Sequence, residues 1–229
     1  MRVLVLIYFL SCFSIFISCT KTQDNNLYPS KDIVIKTHSD WTKTHYPQRI
    51  KEFERKPLQK NDVVFLGNSI TEQGGNWSEK LNIPNIKNRG ISGDTTEGIL
   101  SRINEVIYSK PSKVFLLIGI NDLYSNKVSV NIIHKNIITI VNKIVSENHR
   151  TKIFVNTILP TSDDKLIDKI IELNKLLQKS ERTVPYKLIN IYSLFVTKNK
   201  KINMKYSTDG VHLNKQGYSI WGEKLKQHF

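Results

Sequence analysis

Residues 62–71 read DVVFLGNSIT, an apolar run that ends at a glycine and passes directly into a polar segment. The run from Val63 to Leu66 has no polar interruption, which is typical of a strand buried on both faces. Such a strand belongs in the middle of a parallel sheet, where helices cover both sides. The polar segment from Asn68 to Thr71 is therefore expected at the carboxyl edge of that sheet.

Further strand-like segments, each closed by a glycine, a proline or a polar loop, extend this pattern along the chain, with Ile86–Arg89 the weaker one. The predicted additional strands are Ile86–Arg89, Lys113–Ile118, Lys152–Leu159 and Tyr186–Ile191. Apolar residues at helical spacing predict helices over Trp41–Phe53, Glu97–Tyr108, Val130–Glu147, Asp163–Lys179 and Asn214–Gln227. Strands that alternate with helices imply right-handed crossovers and a parallel sheet. We therefore predict one α/β domain, residues 40–229, built as a three-layer α/β/α sandwich around a flavodoxin-like five-stranded parallel sheet.

The amino terminus has the features of an export signal. Residues 1–19 read MRVLVLIYFLSCFSIFISC, with Arg2 before an apolar stretch and a small residue before Cys19. This stretch resembles a bacterial lipoprotein signal, with Phe16 in place of the usual leucine; an ordinary signal peptide or an uncleaved anchor are the alternatives. The resemblance implies a signal peptide over residues 1–18, lipidation of Cys19, a flexible tether over residues 19–39, and export to a bacterial membrane surface.

Composition and charge exclude several classes of protein. The 34 Lys and Arg residues against 20 Asp and Glu give a net charge of +14, which by itself suggests nucleic acid. Only 7 of these 34 are arginine, the residue that reads bases best, and the lysines are spread over the whole length. We therefore expect a lysine-rich surface and no nucleic-acid partner. Two cysteines exclude a disulfide scaffold, and the spacing of His, Asp and Glu predicts no metal site and no cofactor.

Polar and glycine-rich segments follow four of the predicted strands. Carboxyl ends of parallel strands meet at one edge of the sheet, so these segments should meet there. They contain Ser69 after the first strand, Gly93 after the second, Asn121 after the third, and Asp209 and His212 before the last helix. A serine hydroxyl needs an adjacent base to become a nucleophile, and histidine is the side chain suited to that role near neutral pH.

These segments resemble the four sequence blocks of the SGNH (GDSL-like) hydrolase superfamily, from Asp62 to the carboxyl terminus. The resemblance implies a nucleophile at Ser69, a base at His212 and an orienting carboxylate at Asp209. It also implies an oxyanion hole formed by the backbone N–H groups of Ser69 and Gly93 and the side-chain amide of Asn121. The first block departs from the family pattern, since Asn68 stands where an aspartate is usual.

The segments around Gly93 and Asn121 look like the acetylhydrolase branch of the superfamily. With an exported, lipid-anchored chain, this predicts hydrolysis of acetyl esters on extracellular or periplasmic glycans. The alternatives are a lysophospholipase or thioesterase that takes longer acyl chains, and a non-catalytic surface protein that binds glycans. Asp94 and Asp122 are expected to be structural, and the other five histidines have no assigned role. The lysines at 198–205 are either a solvated loop or a guide for an anionic substrate.

Overall fold

A computed structural model describes residues 27–229, which form a five-stranded sheet flanked by helices. The signal peptide, the lipidation at Cys19 and the first part of the expected tether lie outside the described residues. The strands are β1 (Val63–Gly67), β2 (Ile86–Gly90), β3 (Lys113–Leu117), β4 (Lys152–Asn156) and β5 (Lys187–Ile189). Their order is β2-β1-β3-β4-β5 and every pairing is parallel, which confirms the predicted flavodoxin-like sheet.

Ten α-helices accompany the strands within the described part of the chain. They are α1 (Asp40–Arg55), α2 (Ser69–Glu72), α3 (Trp77–Leu81), α4 (Thr96–Ser101), α5 (Ile103–Ser109), α6 (Ile120–Ser125), α7 (Val130–Glu147), α8 (Ile167–Ser180), α9 (Tyr192–Phe195) and α10 (Lys215–Lys226). Helix α7 packs with α4, α5 and α8, and α10 packs with α3. These two groups cover the sheet, so β1 is buried along its whole length as its apolar run predicts.

The reversal of strand order at β1 fixes where a site can form. From β1 the chain runs to the edge strand β2 and returns to β3 on the other side of β1. The carboxyl ends of β1 and β3 therefore border a crevice, the usual ligand position in sheets of this order. The short helices α2 and α6 begin directly after these two strands, and so they carry the residues that line the crevice.

Several predicted elements were wrong in extent, among them the strand predicted over Tyr186–Ile191, which covers only Lys187–Ile189. The helix predicted over Glu97–Tyr108 is divided at Arg102, whose backbone leaves helical geometry and whose guanidinium binds the carbonyl of Gly67 and the carboxylate of Asp94. The strand predicted to reach Leu159 ends at Asn156, and the Ile158 N–H bonds the side chain of Asn174 on α8 in place of a neighbouring strand. Periodicity detects neither of these last two features, since both depend on partners that are distant in the sequence.

The folded part of the chain also begins earlier than residue 40. Ile35 packs with residues of α1 in a small apolar cluster, and Thr37 and His38 are buried. These residues belong to the packed structure, so the tether predicted over residues 19–39 is wrong for Ile35, Thr37 and His38. None of the helices between residues 27 and 229 combines the length and apolarity needed to cross a bilayer.

Candidate active site

The structure brings Ser69, His212 and Asp209 into one hydrogen-bonded series. The His212 Nε2 atom lies 2.9 Å from the Ser69 hydroxyl, and its Nδ1 atom lies 2.6 Å from an Asp209 carboxylate oxygen. A carboxylate only accepts hydrogen bonds, so Nδ1 carries the proton and Nε2 keeps a lone pair for the serine hydroxyl. The three residues are thus arranged as a nucleophile, a base and an orienting carboxylate.

Asp209 is held by its neighbours in the same turn. Its Oδ1 atom accepts hydrogen bonds from the backbone N–H groups of Val211, at 2.9 Å, and His212, at 2.8 Å. Partial burial raises the pKa of Asp209, but the bonds from the His212 ring and from these backbone groups outweigh it and lower the pKa to about 2. Asp209 is therefore ionised throughout the pH range in which a histidine base operates.

Ser69 is the first residue of α2, where backbone N–H groups have no acceptor within the helix. Asn68 caps this helix, since its Oδ1 atom accepts a hydrogen bond from the N–H of Ile70 at 3.1 Å. The amide Nδ2 of Asn68 is buried and has no hydrogen-bond partner among residues 27–229. Asparagine thus preserves the cap at the position where the family has aspartate, and its second polar atom is left unpaired.

Gly93 and Asn121 lie on the wall of one cavity. Gly93 has a φ of +78°, and a Cβ atom there would come within 2.1 Å of the Thr42 hydroxyl oxygen. The requirement for glycine therefore comes from backbone conformation and from contact with α1. The Asn121 side-chain amide donates one hydrogen to the backbone carbonyl of Asp94 at 2.8 Å, which leaves its second hydrogen for another acceptor.

Asp94 links the loop of Gly93 to a buried network that the sequence did not indicate. Its carboxylate bonds the His38 ring at 3.0 Å and pairs with the Arg102 guanidinium, at 2.9 Å in its closest contact. All three side chains are almost fully buried. Asp94 is structural, as expected. The prediction of no role for His38 was wrong: its partner Asp94 lies 56 residues away, so the spacing of the sequence could not identify it.

A second histidine, His45 on α1, also contacts the site region. Its Nε2 atom lies 3.1 Å from the carboxylate of Glu72, at the end of the helix that begins with Ser69. The same carboxylate accepts the backbone N–H of Ser92 and pairs with Arg49. Burial raises the pKa of Glu72, but these donors outweigh it and hold the pKa below its usual range. Glu72 therefore connects α2, the helix that begins with Ser69, to the loop that precedes Gly93, and residues of α1 hold its carboxylate in place.

The remaining candidates have structural contacts. Asp122 is buried, with its carboxylate bonded to the N–H and the hydroxyl of Thr96, as expected for a structural residue. Lys201 pairs with Asp164 on the surface. Within residues 27–229, no group of three or more His, Cys, Asp or Glu side chains is arranged to hold a metal ion.

Two cavities are lined by residues of the site segments. The smaller has a volume of about 10 Å³ and an almost wholly apolar wall: Asn68, Ile70, Leu117, Ile118, Ile120, Ile158, Leu159, Pro160, Thr161 and Val211. The larger has a volume of about 310 Å³. Its wall comes from the segment before α1, the start of α1, the loop at Gly93 and the region of α6. The lining residues are Thr37, Ser39, Thr42, Gly93, Asn121, Tyr124, Ser125 and Lys127. The two cavities share no lining residue, and one is lined mostly by apolar residues while the other is lined mostly by polar ones.

Comparison with known proteins agrees with this geometry. Residues 65–220 match the model of the GDSL-like lipase/acylhydrolase family, so the chain belongs to that family. A candidate acylhydrolase from Bacteroides fragilis NCTC 9343 is 28% identical, covers 83% of this chain and 97% of its own, and superposes with a TM-score of 0.69. A GDSL-like lipase from Bacteroides thetaiotaomicron VPI-5482 is 26% identical, with coverage of 82% and 96% and a TM-score of 0.68.

An acetyl xylan esterase shares the fold at 21% identity, with coverage of 73% and 98% and a TM-score of 0.63. No functionally curated protein matches the chain. Membership of the family makes the protein an ester hydrolase by class, and the resemblance drawn from its four sequence blocks is confirmed at that level.

Proposed function

We propose that the protein is a serine esterase that removes acetyl groups from extracellular or periplasmic carbohydrates through an acyl-enzyme at Ser69. The observation that carries this proposal is the continuous hydrogen-bonded series from Asp209 through His212 to Ser69. Gly93 and Asn121, the expected oxyanion residues, both line a cavity large enough for a small ligand.

In the first half of the reaction, the Ser69 oxygen attacks the carbonyl carbon of the ester while its proton passes to His212 Nε2. The carbonyl oxygen becomes negatively charged and accepts hydrogen bonds from the N–H groups of Ser69 and Gly93 and from the free amide hydrogen of Asn121. The bond to the alcohol then breaks, and the proton on His212 passes to the departing alcohol oxygen. Asp209 stabilises the imidazolium and holds its tautomer throughout.

In the second half, His212 Nε2 removes a proton from a water molecule, whose oxygen attacks the acyl carbon. The bond between that carbon and the Ser69 oxygen breaks, and the proton returns from His212 to Ser69. The products are the carboxylic acid and the free alcohol, and no group outside this chain and its substrate is consumed.

The preference for acetyl is argued from the small apolar cavity. Its wall includes Ile70, which follows Ser69, and Val211, which precedes His212. A volume of about 10 Å³ holds roughly one group the size of a water molecule or a methyl. An acetyl methyl fits this space, whereas a longer chain requires displacement of a tightly packed wall.

Two experiments test the proposal in sequence. A fluorophosphonate probe should label the wild type and fail to label Ser69→Ala, with Ser193→Ala as a control for an unrelated serine. A series of p-nitrophenyl esters should then show a steep fall in kcat/KM from acetyl to octanoyl. Labelling that persists in Ser69→Ala excludes the mechanism, and octanoyl hydrolysis as fast as acetyl hydrolysis favours the lysophospholipase or thioesterase alternative.

The lipid anchor is a separate part of the proposal. Cys19 follows the apolar stretch and a small residue, and the polar residues after it lead to the folded domain. Metabolic labelling with an alkyne fatty acid should modify the wild type and Cys12→Ala but not Cys19→Ala. The same labelling of the wild type and Cys19→Ala, or no labelling of the wild type, contradicts lipidation at this residue.

A further inference from the structure

The larger cavity beside Gly93 and Asn121 has one wall that the family match does not include. Thr37, Ser39 and Thr42 form this wall, and they precede the matched residues 65–220. The opposite wall is the end of α6 and the residue Lys127 just beyond it. The space next to the oxyanion donors is therefore shaped by the segment that leads into α1 and by α1 itself.

Hydrogen bonds fix this wall in position. The Thr37 hydroxyl lies 2.6 Å from the Thr95 hydroxyl and donates to the Glu97 carboxylate at 2.8 Å. The Lys127 ammonium reaches across and donates to the backbone carbonyl of Lys36 at 3.0 Å. Since both ends of the wall are tied to the domain, the cavity exists before any ligand binds.

The lining has a composition that favours a neutral polyhydroxylated ligand. None of the eight lining residues is aliphatic, apart from the methyl groups of the threonines, and Ser or Thr hydroxyls occupy four of the eight positions. The aromatic member is Tyr124, whose side chain is 42% exposed. A sugar ring combines hydroxyls, which bond to such groups, with C–H faces, which pack on an aromatic ring.

Tyr124 also lies close to the catalytic candidates. Burial raises the pKa of its hydroxyl, a hydrogen bond with Thr161 lowers it, and the charges of Asp163 and Asp209 raise it further. A charge influences a neighbour in this way only at short range near a protein surface. Tyr124 therefore lines the cavity and also lies within electrostatic reach of Asp209.

We infer that this cavity binds the alcohol part of the ester, that its occupant is a single sugar ring, and that Tyr124 is the face on which the ring stacks. The inference rests on the proposed esterase function and adds to it a specificity-determining residue and the place at which the sugar binds. A volume of about 310 Å³ is at the lower end of ligand pockets, which suits one monosaccharide unit.

The test compares two substrates that share the acetyl group and differ in the alcohol. These are a monoacetylated methyl xyloside and ethyl acetate, whose alcohol is too small to reach Tyr124. Aromatic packing of this kind contributes about 0.5–1.5 kcal/mol, or roughly a two- to thirteenfold effect. Tyr124→Ala should lower kcat/KM for the xyloside by that factor through KM and leave ethyl acetate within twofold, whereas Tyr124→Phe should retain both activities.

A matched control and an occluding variant complete the design. Tyr108, on α5, is also 42% exposed and does not line the cavity, so Tyr108→Ala should leave both substrates unchanged. Ser125→Phe places a ring inside the cavity and should abolish hydrolysis of the xyloside while ethyl acetate is still hydrolysed.

The outcomes separate this inference from the function on which it rests. Equal losses on both esters in Tyr124→Ala would assign the residue to support of the catalytic groups and overturn the sugar subsite. If the wild type hydrolyses ethyl acetate and its kcat/KM is no higher for the xyloside, the sugar subsite is overturned and the esterase function stands. If kcat/KM is higher for glycerol acetate instead, the sugar subsite is also overturned, and the alcohol is a glycerol backbone. A wild type that hydrolyses none of these esters removes both proposals.

Discussion

Replacement of Asp209 by asparagine tests the orientation of the His212 ring. Two backbone N–H groups, those of Val211 and His212, donate to Oδ1 of Asp209. The amide oxygen of the introduced asparagine must face these donors, because in the opposite orientation the amide NH2 group would point at the two backbone N–H groups and no acceptor would be present. The amide nitrogen then takes the position of Oδ2, 2.6 Å from His212 Nδ1.

An amide nitrogen at that position donates a hydrogen bond and therefore requires a lone pair on Nδ1. The ring proton moves to Nε2, which can no longer accept the proton of Ser69. The corresponding change in a buried serine-protease triad lowers kcat by about 10⁴-fold. Asp209 is 51% exposed, so water competes for Nδ1, and we expect a smaller loss of about 10²- to 10³-fold. This loss corresponds to roughly 3–4 kcal/mol in activation free energy.

The assay is the steady-state hydrolysis of p-nitrophenyl acetate by wild type, Asp209→Asn and a charge-matched control, Asp168→Asn. Asp168 is an exposed carboxylate near the start of α8. We expect kcat to fall in Asp209→Asn with little change in KM, and the control to match the wild type. A loss confined to KM, or a kcat within threefold of the wild type, would refute the tautomer argument.

Three further predictions concern the surroundings of the series. Asn121→Ala should lower kcat, measured by steady-state kinetics, by about 10²–10³-fold through loss of an oxyanion donor. Its melting temperature, measured by thermal denaturation, should change little, since one partly exposed hydrogen bond is lost. His38→Ala should cost about 1.5–3 kcal/mol of unfolding free energy, because it removes a partner of the buried Asp94 carboxylate, and His38→Gln should recover part of it; urea denaturation that shows no difference contradicts the structural role. Burial raises the pKa of Asp122 to about 6, so the ionised form destabilises the fold. Relative to Asp122→Asn, the wild type should gain stability as the pH falls from about 7 towards 4, by roughly 3 kcal/mol at most. If the difference in unfolding free energy between wild type and variant is the same at both pH values, this assignment is excluded.

The parallel sheet was predictable because its strands carry their own signal. Strands such as β1 and β3 are covered on both faces, so their side chains must all be apolar, and that requirement appears as an uninterrupted run. The shared edge of a parallel sheet then brings together the residues that follow each strand. The proximity of Ser69, Gly93 and Asn121 therefore follows from chain order and strand direction alone.

The contacts of the histidines on α1 and before it were not predictable in the same way. His38 and His45 find carboxylate partners 56 and 27 residues away, and nothing in the spacing of the sequence identifies Asp94 or Glu72 as those partners. A polar residue in a helix or just before it is predicted to be exposed unless the element that covers it is known. The division of one predicted helix at Arg102 has the same cause, since its guanidinium is drawn to Gly67 and Asp94.

By itself the sequence determined the α/β class, the order of the site segments and the identity of Ser69, Asp209 and His212 as candidates, because each depends on local pattern or on chain order. Only the tertiary structure decided that the segment before α1 is packed, that Asp94 ties this segment to the loop of Gly93, and that Tyr124 faces a polar cavity. These features are contacts between distant parts of the chain. Their energies depend on burial and on distance in space, and neither quantity is encoded in any single stretch of residues.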